Sequence, residues 1–208
     1  MLKKRLFLFL PIFAFLATLL WLLLAGEQES AAVREGVVRY HIVAHSDSAE
    51  DQAVKLLLRD HLFAEIEAIF APCKNAQEAL AAARENQALL KEKGEAFLKA
   101  QGKERELQVV IGERFFPTKN YGKLFFPAGR YQAVSILIGE GKGENFWCVL
   151  YPALCLSPAV ANEESAERLA PVIGAEAAEF LQKGSEIQKV KFWLVEWFEL
   201  LRQKIKKS

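Results

Sequence analysis

Residues Leu6 to Ala25 form an apolar run of 20 residues that carries no charge and is interrupted only by Pro11 and Thr18. At about 1.5 Å per helical residue such a run spans roughly 30 Å, the thickness of a bilayer's hydrocarbon core. Lys3, Lys4 and Arg5 stand before it. A basic cluster there stays on the cytoplasmic side, so everything after Gly26 is expected beyond the membrane. Residues 1–26 therefore read as a signal peptide or a transmembrane anchor. A signal peptide needs a small-x-small cleavage site. Leu23-Leu24-Ala25 is a poor one, and Ser30-Ala31-Ala32 lies several polar residues downstream, so both readings stay open. A buried core helix fits less well, because the run is terminal and charge-flanked.

From Glu27 to Ser208 there are 182 residues, enough for one core rather than two. Setting aside the three leading cations leaves 24 Lys and Arg against 26 Asp and Glu. No basic field or stripe exists to hold a phosphate backbone, so nucleic acid is not an expected partner. The three cysteines are Cys73, Cys148 and Cys155, an odd count that allows at most one disulfide and leaves a thiol over.

Patterning divides the chain further. Residues 27–36 are a polar, small-residue tether, and 37–156 form an α/β domain. Residues 157–190 are a helical linker broken at Pro171, and 191–208 an amphipathic C-terminal helix. In the domain, Val38, Tyr40, Ile42 and Ala44 alternate as one face of a strand, with Arg39 and His41 on the other. His45-Ser46-Asp47-Ser48 reads as a turn into a helix cap, and a long helix follows over about 49–70. Its stripe is Val54, Leu58, Leu62, Ile66 and Ile69. A second helix is expected from about Ala76 to Ala100, capped by Asn75, weakened by Gly94 and ended by Gly102, with Leu80, Ala83, Leu90 and Phe97 on its apolar side. Leu107, Val109 and Ile111 alternate as a second strand. Tyr131 to Ile138 is apolar on both faces and so is a central strand. The fold class is α+β: a small, mostly antiparallel sheet with two long helices on one face, an N-terminal membrane helix or signal peptide, and a C-terminal amphipathic helix.

The tripeptide Phe-Phe-Pro occurs at 115–117 and again at 125–127, in a segment whose Pro, Gly, Lys and Asn residues mark a loop. It suits either a recognition loop with aromatic anchors or a small core folded back on the sheet, the latter favoured for Phe116 and Phe126. Gly139-x-Gly141-x-Gly143 lacks the Gly-Lys-Ser/Thr ending of a phosphate loop, and reads as a flexible turn leading to Asn145 as a helix cap.

Catalysis by a nucleophile needs a base beside it. Cys148 or Cys155 has only His41, His45 and His61 available. On a straight strand His41 and His45 point the same way but stand about 13 Å apart, too far to share a metal. No catalytic residue, cofactor or metal ligand is assigned. A cell-envelope hydrolase using a Cys/His or metal site is the alternative function. A Cys148–Cys155 disulfide requires a chain break such as Pro152, because a straight helix would hold the two α-carbons about 10.5 Å apart. Two unpaired cysteines packed in the core are the other reading.

In the tail, Trp193, Trp197, Leu200 and Leu201 share one helical side, and Arg202, Lys204, Lys206 and Lys207 make the end basic. A membrane-surface helix, a partner-binding helix and a domain-closing helix all have this pattern; Trp193, Trp197 and Leu201 are the candidate contact residues.

Four motifs, in order and with matching spacing, carry a resemblance: His-Ser-Asp-Ser (45–48), Phe-Pro-Thr-Lys-x-Tyr-Gly (116–122), Pro-Ala-Gly-x-Tyr-x-Ala (127–133) and Asn-Phe-Trp-Cys-Val-Leu-Tyr-Pro-x-Leu-Cys (145–155). They resemble the stage II sporulation protein R family over more than half the chain. This chain has Phe146 and Trp147 where the family usually has two Trp, and His45 where Asn is common, which argues against an essential amide there. The resemblance implies a role rather than a reaction. Members are made in the forespore and exported to the intermembrane space, secreted or anchored to the cytoplasmic membrane by the N-terminal segment. There they activate a membrane-embedded aspartic peptidase that processes the sigma factor E precursor. The chain is then expected to be a non-enzymatic messenger that touches its receptor through Phe116, Tyr121, Asn145, Phe146 and Trp147.

Overall fold

The computed structural model describes residues 11–18, 20–21, 24, 27–152, 163–184 and 186–207. Of the apolar leader, residues 11–18 are helical, and Ile12, Phe13, Phe15 and Leu16 are exposed. The membrane-anchor and signal-peptide readings rest largely on residues outside this set. Among the described residues no helix is long and apolar enough to cross a membrane.

The segment read as a tether is helix α1, Glu27–Gly36. Glu27 and Glu29 lie in its first turn and Arg34 in its last, which suits the helix dipole. Val33 and Ser30 are buried, so this is a packed element rather than a linker. Strand β1, Val38–Val43, follows. Helix α2, Ala49–Phe70, starts where the sequence placed it, with the Ser48 hydroxyl accepting from the Asp51 amide. Its buried stripe is Val54, Leu58, Leu62, Ile66 and Phe70.

The expected single helix over 76–100 is two: α3, Ala76–Glu85, and α4, Gln87–Ala100. Asn75 caps α3 through the Glu78 amide. The break falls at Asn86, whose side-chain amide donates to the Ala82 carbonyl at 2.9 Å. Asparagine competes with the helix for backbone partners, and here it wins. Ala79 rather than Leu80 is buried in α3. Gly94 is no weak point. A Cβ there would stand 2.4 Å from the Leu107 side chain, so its absence lets α4 close on the sheet.

The sheet has four strands in the order β2-β5-β1-β6, with β2 Leu107–Phe116, β5 Gly129–Ile138 and β6 Asn145–Tyr151. β1 runs parallel to β5, while β2–β5 and β1–β6 are antiparallel, so the sheet is mixed. β5 is central, as its two apolar faces require. Asn145 begins a strand instead of capping a helix: the run to Tyr151 pairs with β1 over its length. The Phe-rich segment folds into a hairpin, β3 Lys119–Tyr121 and β4 Leu124–Phe126, turning at Gly122 with φ +54°.

Helices cover both faces of the sheet, not one. Tyr40, Ile42, Val134 and Ile136 face the core under α2–α4. Val33, Phe116, Tyr131, Ala133 and Val149 face a second core. That second core is closed by α1, the hairpin, α5 (Glu163–Ile173) and α6 (Ala175–Lys183). The region read as a linker thus supplies buried Leu169, Ile173, Phe180 and Leu181. Its helices part at Gly174, φ +88°, and Pro171 sits inside the last turn of α5. Helix α7, Glu186–Lys207, ends the chain.

Candidate functional site

Arg39 lies on the face of β1 that looked polar, yet its exposure is 0%. Its Nε donates to the Cys148 carbonyl at 3.0 Å, and Nη2 to the Tyr121 hydroxyl at 3.0 Å. Four rings surround the guanidinium carbon: Phe116 at 4.5 Å, Tyr131 at 4.9 Å, Phe126 at 5.2 Å and Tyr121 at 5.8 Å to the centroids. Nη1 has no hydrogen-bond partner among the described residues, which leaves π faces as its compensation. Burial pushes the Tyr131 hydroxyl up to about 12 and raises that of Tyr121, so both stay protonated and can donate. Tyr131 donates to the Pro127 carbonyl at 2.6 Å, and Tyr121 to the Trp147 carbonyl at 3.1 Å. One arginine therefore joins the two Phe-Phe-Pro segments, the Pro-Ala-Gly-x-Tyr segment and the Phe-Trp-Cys strand.

Beside it, His41 stacks on Trp147, ring centroids 4.0 Å apart and 3° from parallel. The His41 Nε2 and the Asn145 side-chain oxygen are 2.6 Å apart, and the Phe116 edge meets Trp147 at 4.7 Å. Phe146 points to the other side of the sheet, under the Arg59 guanidinium at 4.9 Å. Of the five residues assigned to the receptor surface, Phe116 is fully buried. Tyr121, Phe146 and Trp147 are half-buried, and Asn145 is exposed. Phe116 thus supports that surface from beneath, and Phe146 does not share a face with Trp147.

The His-Ser-Asp-Ser motif and the glycine run hold each other. The Gly143 amide donates to the Ala44 carbonyl at 2.9 Å, the Glu140 amide to His45 Nδ1 at 3.1 Å, and the Glu144 amide to Asp47 at 2.7 Å. Below them Asp51 accepts from Ser46 at 2.6 Å and pairs with Arg105. Burial would raise the Asp51 pKa, but the Ser46 and Arg105 bonds outweigh it and hold the carboxyl below its usual range. These contacts fix the turn before β6 and so the placement of Asn145 and Trp147.

Helix α7 docks through few groups. Phe192 is buried against Phe125, the Thr118 amide donates to Glu196 at 2.7 Å, and Arg130 pairs with Glu199 at 2.9 Å. Trp193 and Trp197 stand outward, and Leu201 is half-buried.

Cys148 is disulfide-bonded, whereas Cys73 is free and half-buried at the end of α2. Cys155 lies outside the described residues. His61 stacks on Phe97 at 4.5 Å. Among the described residues no three His, Cys, Asp or Glu side chains are grouped to hold a metal.

Arg39 and Asp51 are buried charges that organise this region; the sequence showed Arg39 only as part of a strand's polar face and Asp51 only as the acid three residues after the Ser48 cap. An arginine placed opposite a strand's apolar face, in a domain rich in Pro- and Gly-bounded aromatics, is the signal that points to the first.

The fold and site together define a mixed-sheet α+β domain built around an aromatic-caged arginine. The family model for stage II sporulation protein R matches residues 34–161, and the chain belongs to that family. It is 30% identical over 188 residues to stage II sporulation protein R of Bacillus subtilis, covering 83% of this chain and 84% of that protein. No solved structure matches the chain. Membership supports a signalling role in sporulation.

Proposed function

We propose that this chain is an exported, non-enzymatic signal that passes from the forespore to the intermembrane space and activates a membrane-embedded aspartic peptidase. That peptidase then cleaves the sigma factor E precursor. The leader, residues 1–26, delivers the domain across the membrane, by anchoring or by cleavage, and Cys148 pairs with Cys155 in that oxidising space. One observation carries the reading: three of the four family motifs meet at Arg39 and build a supported, half-exposed surface of Tyr121, Asn145 and Trp147. That is how a recognition surface is made, with aromatic anchors held by buried bonds. The hydrolase alternative loses support, because the Cys148 sulfur is already in a disulfide.

Co-expression of the chain with its peptidase and the precursor tests the proposal. A shortened precursor is expected, and Tyr121→Ala and Trp147→Ala should each abolish it in chains that still fold. Unchanged processing by both variants would exclude this surface, and no processing with the unaltered chain would exclude the activator role.

A further inference from the structure

Helix α7 is amphipathic the wrong way round for a helix that closes a domain. Its acidic residues Glu196 and Glu199 turn inward, to the Thr118 amide and to Arg130. Its large apolar residues turn outward: Trp193 is 61% exposed and Phe198 64%, with Trp197, Leu200 and Ile205 exposed as well. At about 100° per residue these five lie within one broad arc, opposite Phe192 and Glu199. Between Trp193 and Ile205 the only charge in that arc is Lys204, whose alkyl stem lets its ammonium reach past an apolar layer. Arg202, Lys206 and Lys207 complete a basic end.

A second contact places this face. The Lys191 ammonium, at the start of the docked part of α7, lies 3.0 Å from Glu27, the first residue of α1. The N-terminal end of α1, to which the leader is joined, therefore lies beside α7. Its described residues Phe13, Phe15 and Trp21 are exposed in the same way.

We infer that the outward face of α7 lies on the surface of an anionic bilayer, next to the point where the leader enters it. This rests on the anchored form of the membrane-delivered reading above. Two Trp in an apolar stripe with cations at its end are what a headgroup interface receives, and Glu196 and Glu199 turned into the protein remove their repulsion. The domain is then held at two adjacent points, which orients the Tyr121–Trp147 surface relative to the membrane.

The full chain, reconstituted in phosphatidylglycerol vesicles with brominated acyl chains, gives the test by tryptophan emission. Trp21→Phe leaves Trp147, Trp193 and Trp197, and should lose more than half its emission to the bromines. Phe198→Glu in that background, at an exposed position, should restore most of it. The double variant Trp193→Phe/Trp197→Phe retains Trp21 and Trp147, and of these Trp21 reports the leader. If that double variant is quenched while Trp21→Phe is not, the α7 inference falls and the leader reading stands. If neither is quenched, the leader reading fails and takes the inference with it. Equal quenching of Trp21→Phe in brominated phosphatidylcholine would overturn the role of the basic end. A protein-docking face would leave Trp193 and Trp197 bright in both lipids.

Discussion

Arg39 donates from Nη2 to the Tyr121 hydroxyl at 3.0 Å, tying a central strand to a hairpin 82 residues further along the chain. Tyr121 passes the connection to the Trp147 carbonyl, and Arg39 itself bonds the next carbonyl, Cys148. One cation thus sets the spacing between the hairpin and the edge strand β6.

Replacing Arg39 by Ala removes a fully buried side chain and two charge-assisted hydrogen bonds. Such bonds are worth about 1.5–3 kcal/mol each, and the vacated space adds to the loss. The expected destabilisation is about 3 kcal/mol or more, read as a fall in the urea midpoint with the slope unchanged. Arg39→Lys should recover little of it, since an ammonium cannot bond Cys148 and Tyr121 in the fixed fork of a guanidinium.

Gly143 is the second sensitive point. A Cβ there would stand 2.2 Å from the Ser46 carbonyl oxygen, a backbone atom that cannot swing aside. Gly143→Ala should separate the glycine run from the His-Ser-Asp-Ser turn at a cost of about 1–3 kcal/mol. Gly112→Ala meets nothing within 4 Å and should be close to neutral, which makes it the control in the same melt.

Burial lowers the His41 pKa below the usual histidine value; the Asn145 bond offsets part of this, and the Arg114 charge adds to it. The unfolded chain therefore binds the proton first, near pH ~6.5. The stability this gives is complete above that value and is lost as pH falls below it toward the folded pKa. Urea midpoints should drop between about pH 7.5 and 5.5, less steeply in His41→Gln. Parallel slopes for the two proteins would show that His41 is not the source.

If Cys155 is the partner of Cys148, native protein carries one alkylatable thiol, Cys73, and gains two more on reduction. A bridge closing roughly eight residues contributes about 2.5 kcal/mol by the chain-entropy estimate, so Cys155→Ser should lower stability by about that amount. A native protein with three reactive thiols would refute the bridge.

Several elements were legible because local chemistry fixes them. Ser48 and Asn75 cap their helices, Pro117 and Pro127 follow the last strand residues Phe116 and Phe126, and the alternation from Val38 to Ala44 divides two faces. Asn86 misled, because a single residue of mixed preference either continues or breaks a helix according to what packs beside it. Asn145 misled for a related reason: the same side chain caps a helix or starts a strand, and only the ladder to β1 decides.

The sequence by itself determined the apolar leader, the Ser48 and Asn75 caps, the strand ends at Pro117 and Pro127, the alternation from Val38 to Ala44 and the family motifs, since each depends on neighbours within a few positions. Tertiary structure alone decided that β1 lies parallel to β5, that a second helical layer covers Arg39, and that α7 turns its acids inward. Those outcomes join residues from about 70 to about 140 positions apart. Their energies come from desolvation and ring geometry at the contact, and no local pattern carries that information.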